Sequence, residues 1–454
     1  MSNIQKLKIH ENKRYIIRED GSQFFYMGDT AWELFHRLNR EEIDYYLQNR
    51  ADKKFNVIQA VLLGEFEGVN VPNAYGRYPL LKNPDGKYDP VMPDETGEYS
   101  YWGHVDYTVK QIALHNIYAG ILPTWGDKLN QGWGKGPEIF TPENAYIYGK
   151  WVGERYKNFD NIIWILGGDR PLVTRAHHDI VNNMAHGIRD AGCTQLMTFH
   201  PTGWRSSSEQ SHNESWLDFN MIQSGHSNVN GENYRLVEHD YNLTPIKPTL
   251  DGEPRYEDHP VNFNAVNGYF DDWDVRQALY WSVFSGACGV TYGHHSIWGM
   301  INHKNTNNKT EFDNITQKEE SERINSGYFP VSYPEALDRP GAFNVTHFVD
   351  LMNSRDFLNN IPAQDIIYEN YSGANHMRAV KNKNYAYIYS PCGLKINIAK
   401  DRLGFEPENF MFYNPRSGEY TETKADLRNF KNENILQFIP PSSGRNNDWV
   451  LIIE

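Results

Sequence analysis

Two acidic residues stand where an apolar run breaks at glycine: Asp169 at the end of NIIWILGGDRP and Glu253 within KPTLDGEP. Runs of that length and β-branched content read as buried parallel strands, so each acid follows the C-terminal end of a strand. Gly167 and Gly168 let the chain bend sharply just before Asp169. Two carboxyl groups facing one another suit cleavage of a glycosidic bond. One, protonated, donates to the leaving oxygen; the other, ionised, attacks the anomeric carbon or activates water. A separation of about 5 Å would give retention of configuration, and roughly 6.5–9.5 Å inversion. Plainer roles exist for each acid. Asp169 could pair with Arg170 or cap a helix, and Glu253 could form a salt bridge with Arg255.

Other strand-end residues could contact a substrate. Asp29 and Trp32 follow the first strand, and Gln59 lies in the second. Trp125 and Asp127 follow the third, His200 the fifth and His226 the sixth. Arg255 lies two residues beyond Glu253, and His294, His295 and Trp298 follow the eighth strand. Tryptophan rings stack on the C–H faces of sugars, while Asp, Gln, Arg and His bind hydroxyl groups. Core packing or a structural hydrogen bond would account for any of these singly. RAHHD and GHHS carry adjacent histidines, but no HExxH or HxxEH occurs, so no metal and no cofactor are expected. A GxSxG elbow is also missing, which excludes a serine hydrolase of that type.

Eight strand-and-helix units must position these groups. Apolar runs at 24–28, 56–62, 118–122, 161–166, 196–200, 219–223, 247–251 and 289–293 read as strands. Helical spacing or capping signals place helices behind Asn39 to about Lys53, at 105–117, behind Thr141 to Tyr156, and at 177–191, 232–240, 275–285 and 345–358. The alternation predicts an α/β fold, a (β/α)₈ TIM barrel, with its working face at the strand C-termini. A doubly wound open sheet shares this order, but neither GxGxxG after a strand nor GxxxxGK[ST] is present. The segment 64–103, rich in Pro, Gly and Tyr, reads as a long loop. Near residue 360 the pattern changes to short aromatic and β-branched runs at 385–389, 411–413 and 449–453, separated by turn signals. That predicts a barrel domain over 1–360 and a small antiparallel β-sandwich over 361–454.

Composition narrows the partners. Aromatic residues are 14% of the 454, with 12 Trp and 29 Tyr. Rings with one apolar face and one polar tip suit sugars, although a Tyr-rich core would give the same count. A formal net charge of −14 argues against nucleic acid and anionic membrane surfaces. Cys193, Cys288 and Cys392 are far apart and read as buried thiols. Residues 1–10 lack an apolar stretch, so the chain as it stands reads as cytoplasmic; a removed leader would make it periplasmic or secreted. Oligomeric state is left open.

The segments FFYMGDTAWELFHRL, FNVIQAVLLGE, NIIWILGGDRP and KPTLDGEPRYE resemble the apiosidase-like glycoside hydrolases, family 140 and its relatives. The C-terminal stretch resembles the collagen-binding-type β-sandwich that follows the barrel in those proteins. The resemblance spans nearly the whole chain. It implies a retaining mechanism with an aspartate acid/base and a glutamate nucleophile, falling on Asp169 and Glu253. Characterised relatives release apiose from pectic side chains, so a plant-cell-wall oligo- or polysaccharide is the implied substrate. The wider superfamily of retaining barrel glycosidases usually carries Asn-Glu after strand four, where this chain has Gly-Asp. The rival functions are a non-catalytic carbohydrate-binding barrel, a metal-dependent barrel hydrolase, and a chain whose β-sandwich is the binding part.

Overall fold

A strand buried on both faces needs an almost unbroken apolar run, and eight such runs build the wall of the barrel. In the computed structural model, which describes residues 4–65, 68–302, 331–425 and 434–454, every residue of these eight strands is buried. They are β1 (Tyr26–Thr30), β2 (Val57–Val61), β3 (Tyr118–Leu122), β4 (Ile162–Gly167), β5 (Met197–His200), β6 (Asn220–Gln223), β7 (Thr249–Asp251) and β8 (Gly289–Tyr292). All neighbours pair in parallel, in the order β6-β7-β8-β1-β2-β3-β4-β5. At the remaining seam the Asp218 amide donates to the Met197 carbonyl at 2.8 Å, and the Thr198 hydroxyl donates to the Phe219 carbonyl at 2.7 Å. The ring is therefore nearly closed. A short antiparallel strand, Arg205–Ser206, adds to its edge at β6.

Among the described residues a helix follows each of these strands: α1 (Arg40–Asp52), α2 (Tyr101–Leu114), α3 (Pro142–Tyr156), α4 (Arg175–Asp190), α5 (Ser208–Ser211), α6 (Tyr234–Tyr241), α7 (Asp272–Val283) and α8 (Pro340–Asn353), with additional single α-helical turns at Leu34–Arg37 and Tyr333–Ala336. Asn39, Thr141 and Asp271 close capping boxes at the starts of α1, α3 and α7, satisfying amides that a helix terminus otherwise leaves unpaired. Three details differ from the sequence expectation. The helix α2 begins at Tyr101, not 105, because the Ser100 hydroxyl accepts from the Gly103 amide at 3.1 Å and starts it a turn early. The fifth crossover, where the sequence showed no helical pattern, holds a single helical turn. The segment 64–103 contains an antiparallel pair, Leu80–Lys82 with Tyr88–Pro93. A second unexpected pair, Leu7–Ile9 with Ile16–Arg18, precedes the barrel. Three of these four strands have three residues, too short to show a period, and the fourth, Tyr88–Pro93, is mostly only half-buried and carries no apolar alternation.

Beyond the barrel, six strands form one antiparallel sheet and Ile396–Ala399 pairs with Ile435–Phe438 in a second. Alternation along the middle strands separates two cores. Ile388, Leu451 and Ile453 pack with Ile398 and Phe438 between the sheets, while Tyr387, Tyr389, Val450 and Ile452 join the barrel core. The helix α7 is the seat of this module: every residue from Trp273 to Val283 is buried. Trp273 Nε1 donates to the Pro391 carbonyl at 2.8 Å and Trp281 Nε1 to the His376 carbonyl at 2.9 Å. Arg276 grips Asp448 through two bonds of 2.9 and 3.0 Å.

Candidate active site

The strand C-termini open into a cavity of about 540 Å³ lined by both acids, Asp169 and Glu253. The end of β4 is built to deliver Asp169. Gly167 and Gly168 have φ of 85° and 121°, and Asp169 itself has φ of 47°. A Cβ on Gly168 would stand 2.9 Å from both the Gly126 amide nitrogen and the Trp125 ring, so only glycine fits. A non-glycine residue held in the left-handed region is a form of strain that concentrates at functional sites. The Asp169 carboxylate is then fixed from three sides. Trp133 Nε1 donates to Oδ2 at 3.1 Å, Arg170 Nη1 lies 3.1 Å from Oδ2, and the Thr202 hydroxyl donates to Oδ1 at 3.3 Å.

Glu253 follows β7 and is nearly enclosed. His226 Nε2 is 3.1 Å and the donating Tyr256 hydroxyl 2.9 Å from its Oε1; His200 Nε2 is 2.9 Å from its Oε2. Trp32 Nε1 in turn donates to the Tyr256 hydroxyl at 3.0 Å. The His200 ring stands against both acids, because its Nδ1 lies 3.3 Å from the Asp169 backbone nitrogen and 2.9 Å from the Pro201 carbonyl. Trp32 and Trp125 pack on that ring, with centroids 5.4 and 5.6 Å away.

The two acids are driven in opposite directions. Burial disfavours the Glu253 carboxylate, but the hydrogen bonds and charges of His200 and His226 outweigh it and hold the group at about 2. Asp169 is pushed up, by burial first and then by the Glu253 charge, against the opposing pull of Arg170 and His200. Glu65, beyond β2, also lines the cavity and pairs with Arg170 Nη2 at 2.9 Å. Burial raises it to about 8, with Arg170 opposing and Asp127 and Asp169 adding. One acid held ionised beside one favoured in its protonated form is the division of labour that glycoside cleavage requires. Among the described residues no group of His, Cys, Asp and Glu could hold a metal ion.

The family model described as "Apiosidase-like, catalytic domain" matches residues 10–359. The chain belongs to the apiosidase-like family. Residues 361–454 match a second model, described as "Putative collagen-binding domain of a collagenase". Among solved structures, a glycoside hydrolase family 5 protein from Bacteroides vulgatus is 29% identical, with a TM-score of 0.85 over 100% of this chain and 95% of that one. Another, described as "Glycoside hydrolase", is 30% identical, with a TM-score of 0.84 over 100% and 98%. An endo-β-1,4-mannanase from Thermotoga petrophila shares the fold at 13% identity, with a TM-score of 0.50 and 92% of each chain covered. No curated protein matches.

On this apiosidase-like barrel the residues singled out from sequence divide into two groups. Asp169, Glu253, Trp32, Trp125, His226 and Trp298 line the cavity, and His200 stands directly behind Glu253. Five others do not line it and make structural contacts instead. Asp29 accepts from the Tyr46 hydroxyl at 2.6 Å and lies 3.5 Å from Arg50. Gln59 donates to the Gly252 carbonyl at 2.9 Å, holding the turn before Glu253. Asp127 pairs with Lys128 at 2.7 Å and accepts from the Gly136 amide at 2.9 Å. Arg255 donates to Gln277 at 2.8 Å, and His294 meets Asp258 at 3.1 Å. At the end of β8 it is His295, not His294, that reaches the cavity. Sequence reasoning passed over Glu65, Trp133, Thr202, Gln223, Tyr256, His259 and Phe263 as lining residues. Glu65 and Tyr256 carried a signal, being an acid after β2 and a tyrosine three residues past Glu253. Gln223 ends β6, and the others lie in loops without a pattern.

Proposed function

We propose that this chain is a retaining glycoside hydrolase acting on plant-cell-wall oligo- or polysaccharides in an apiosidase-like manner. Glu253 attacks the anomeric carbon as the bond to the leaving oxygen breaks and Asp169 gives its proton to that oxygen. Asp169 then takes a proton from water, whose oxygen attacks the anomeric carbon and releases Glu253. The observation that carries this reading is the pair of opposed protonation tendencies across one aromatic-lined cavity, with His200 touching both acids. The family description and the abundance of cavity tryptophans support a carbohydrate substrate.

A screen of pectic and other cell-wall oligosaccharides, read by released sugars, tests it. Glu253→Gln and Asp169→Asn should each lose at least roughly a thousandfold in kcat on the substrate found, with melting temperatures near wild type. Wild-type rates in either variant would refute the assignment. The absence of hydrolysis, with binding intact, would favour a non-catalytic carbohydrate-binding barrel.

A further inference from the structure

Trp32 and Trp125 form the floor of the cavity and are only 1% and 2% exposed, whereas Trp133 is 61% exposed at its rim. Trp133 lies in the glycine-rich segment QGWGKGP between β3 and α3. Despite its exposure it is anchored. One face lies over the Arg170 guanidinium, 4.5 Å from the ring centroid, and its Nε1 donates to Asp169 Oδ2. The guanidinium is buried and held by Glu65 and by the Gln131 carbonyl, at 2.9 and 3.2 Å. With one face on Arg170 and the ring so exposed, the opposite face is open to solvent at the cavity mouth. A large apolar surface kept exposed and oriented beside a site is a place for a ligand to land.

The side on which it stands gives the direction. Trp32 and Trp125 pack on His200, which lies behind both acids, and two of the cavity aromatics lead on to Glu253 itself. Trp32 reaches it through Tyr256, and Phe263 packs against His226 at 6.1 Å. Trp133 bonds to Asp169. The group that donates a proton faces the leaving oxygen, so whatever is attached to that oxygen lies on the Asp169 side. We propose that Trp133 is a leaving-group subsite, stacking the ring of the sugar that departs when the bond is cut. The proposal rests on the acid and nucleophile roles given above.

The test compares two substrates of the full-length protein: the oligosaccharide identified by product profiling, and the glycosyl fluoride of the sugar it releases. Fluoride carries no ring and leaves without an acid. Trp133→Ala is expected to lose roughly five- to tenfold in kcat/KM on the oligosaccharide and to stay within about twofold on the fluoride. Trp133→Phe keeps a stacking face but not the N–H, and should hold the oligosaccharide KM within about twofold of wild type. An equal loss on both substrates, or no loss on either, overturns the subsite while leaving the two-acid reading in place. A wild-type protein that cleaves none of the screened oligosaccharides and no glycosyl fluoride overturns both.

Discussion

An aspartate paired with arginine is normally the more acidic for it. Asp169 goes the other way because burial and then the Glu253 charge favour the proton more than Arg170 opposes it, and the second nitrogen of that guanidinium is engaged by Glu65. That contact places a second raised acid in the cavity, and Glu65 has consequences for stability. Its group moves from an ordinary 4.5 to about 8 on folding. Below about 4.5 it is protonated in both states. As pH climbs toward 8 the unfolded chain gives up the proton first, so this part of the stability is full at low pH and lost on the way up. Glu65→Gln should therefore flatten the fall in unfolding free energy between pH 5 and 8 by on the order of 1–3 kcal/mol. Chemical denaturation at the two pH values measures it; an unchanged slope would mean that Glu65 is ionised in the folded protein. Glu33 and Glu257, both raised to about 7 by burial, add to the same slope. An Asp169 favoured in its protonated form beside an ionised Glu253 was legible from the residue types; the raised Glu65 was not. An acid after a strand looks the same whether its partner is substrate, arginine or lysine, which is why Asp29 and Asp127 were expected in the cavity and stand outside it.

At the scale of elements, the most telling piece is α7, which follows the Glu253 segment and carries the β-sandwich on its other side. Its sequence, DWDVRQALYWSV, has no polar face to give to water, and the structure shows why. Arg276 faces Asp448 of the sandwich, with further bonds to Asp272 and Asn344 of 2.5 and 2.7 Å. Removing a buried guanidinium strands its partner carboxylate, so Arg276→Ala should destabilise the chain by about 3 kcal/mol. Substrate KM should stay close to wild type, since Arg276 does not line the cavity. Calorimetry with parallel kinetics decides it, and a large KM change at unaltered stability would assign the sandwich a direct part in binding. Strand and helix order could be read from sequence because buried parallel strands and capped helices each leave a pattern in a dozen residues. The hairpins inside the 64–103 segment and at the N-terminus left none, since their strands are too short to show a period or, at Tyr88–Pro93, only half-buried and without apolar alternation.

For the whole molecule, the barrel converts a linear spacing of 84 residues between Asp169 and Glu253 into a meeting across one cavity. The chain could announce the two acids because parallel strands all end on one face. It could not announce the rim, because loops take their positions from side-chain contacts such as Trp133 on Arg170. The account stands on Glu253 forming a bond to the sugar, and azide rescue of Glu253→Ala examines that most directly. With the carboxylate gone, a small anion can enter from the same face and attack the anomeric carbon in its place. The expected product is a glycosyl azide of inverted configuration, formed at a rate that rises with azide. A variant that keeps hydrolysing without azide, or yields azide product of retained configuration, would contradict Glu253 as the nucleophile.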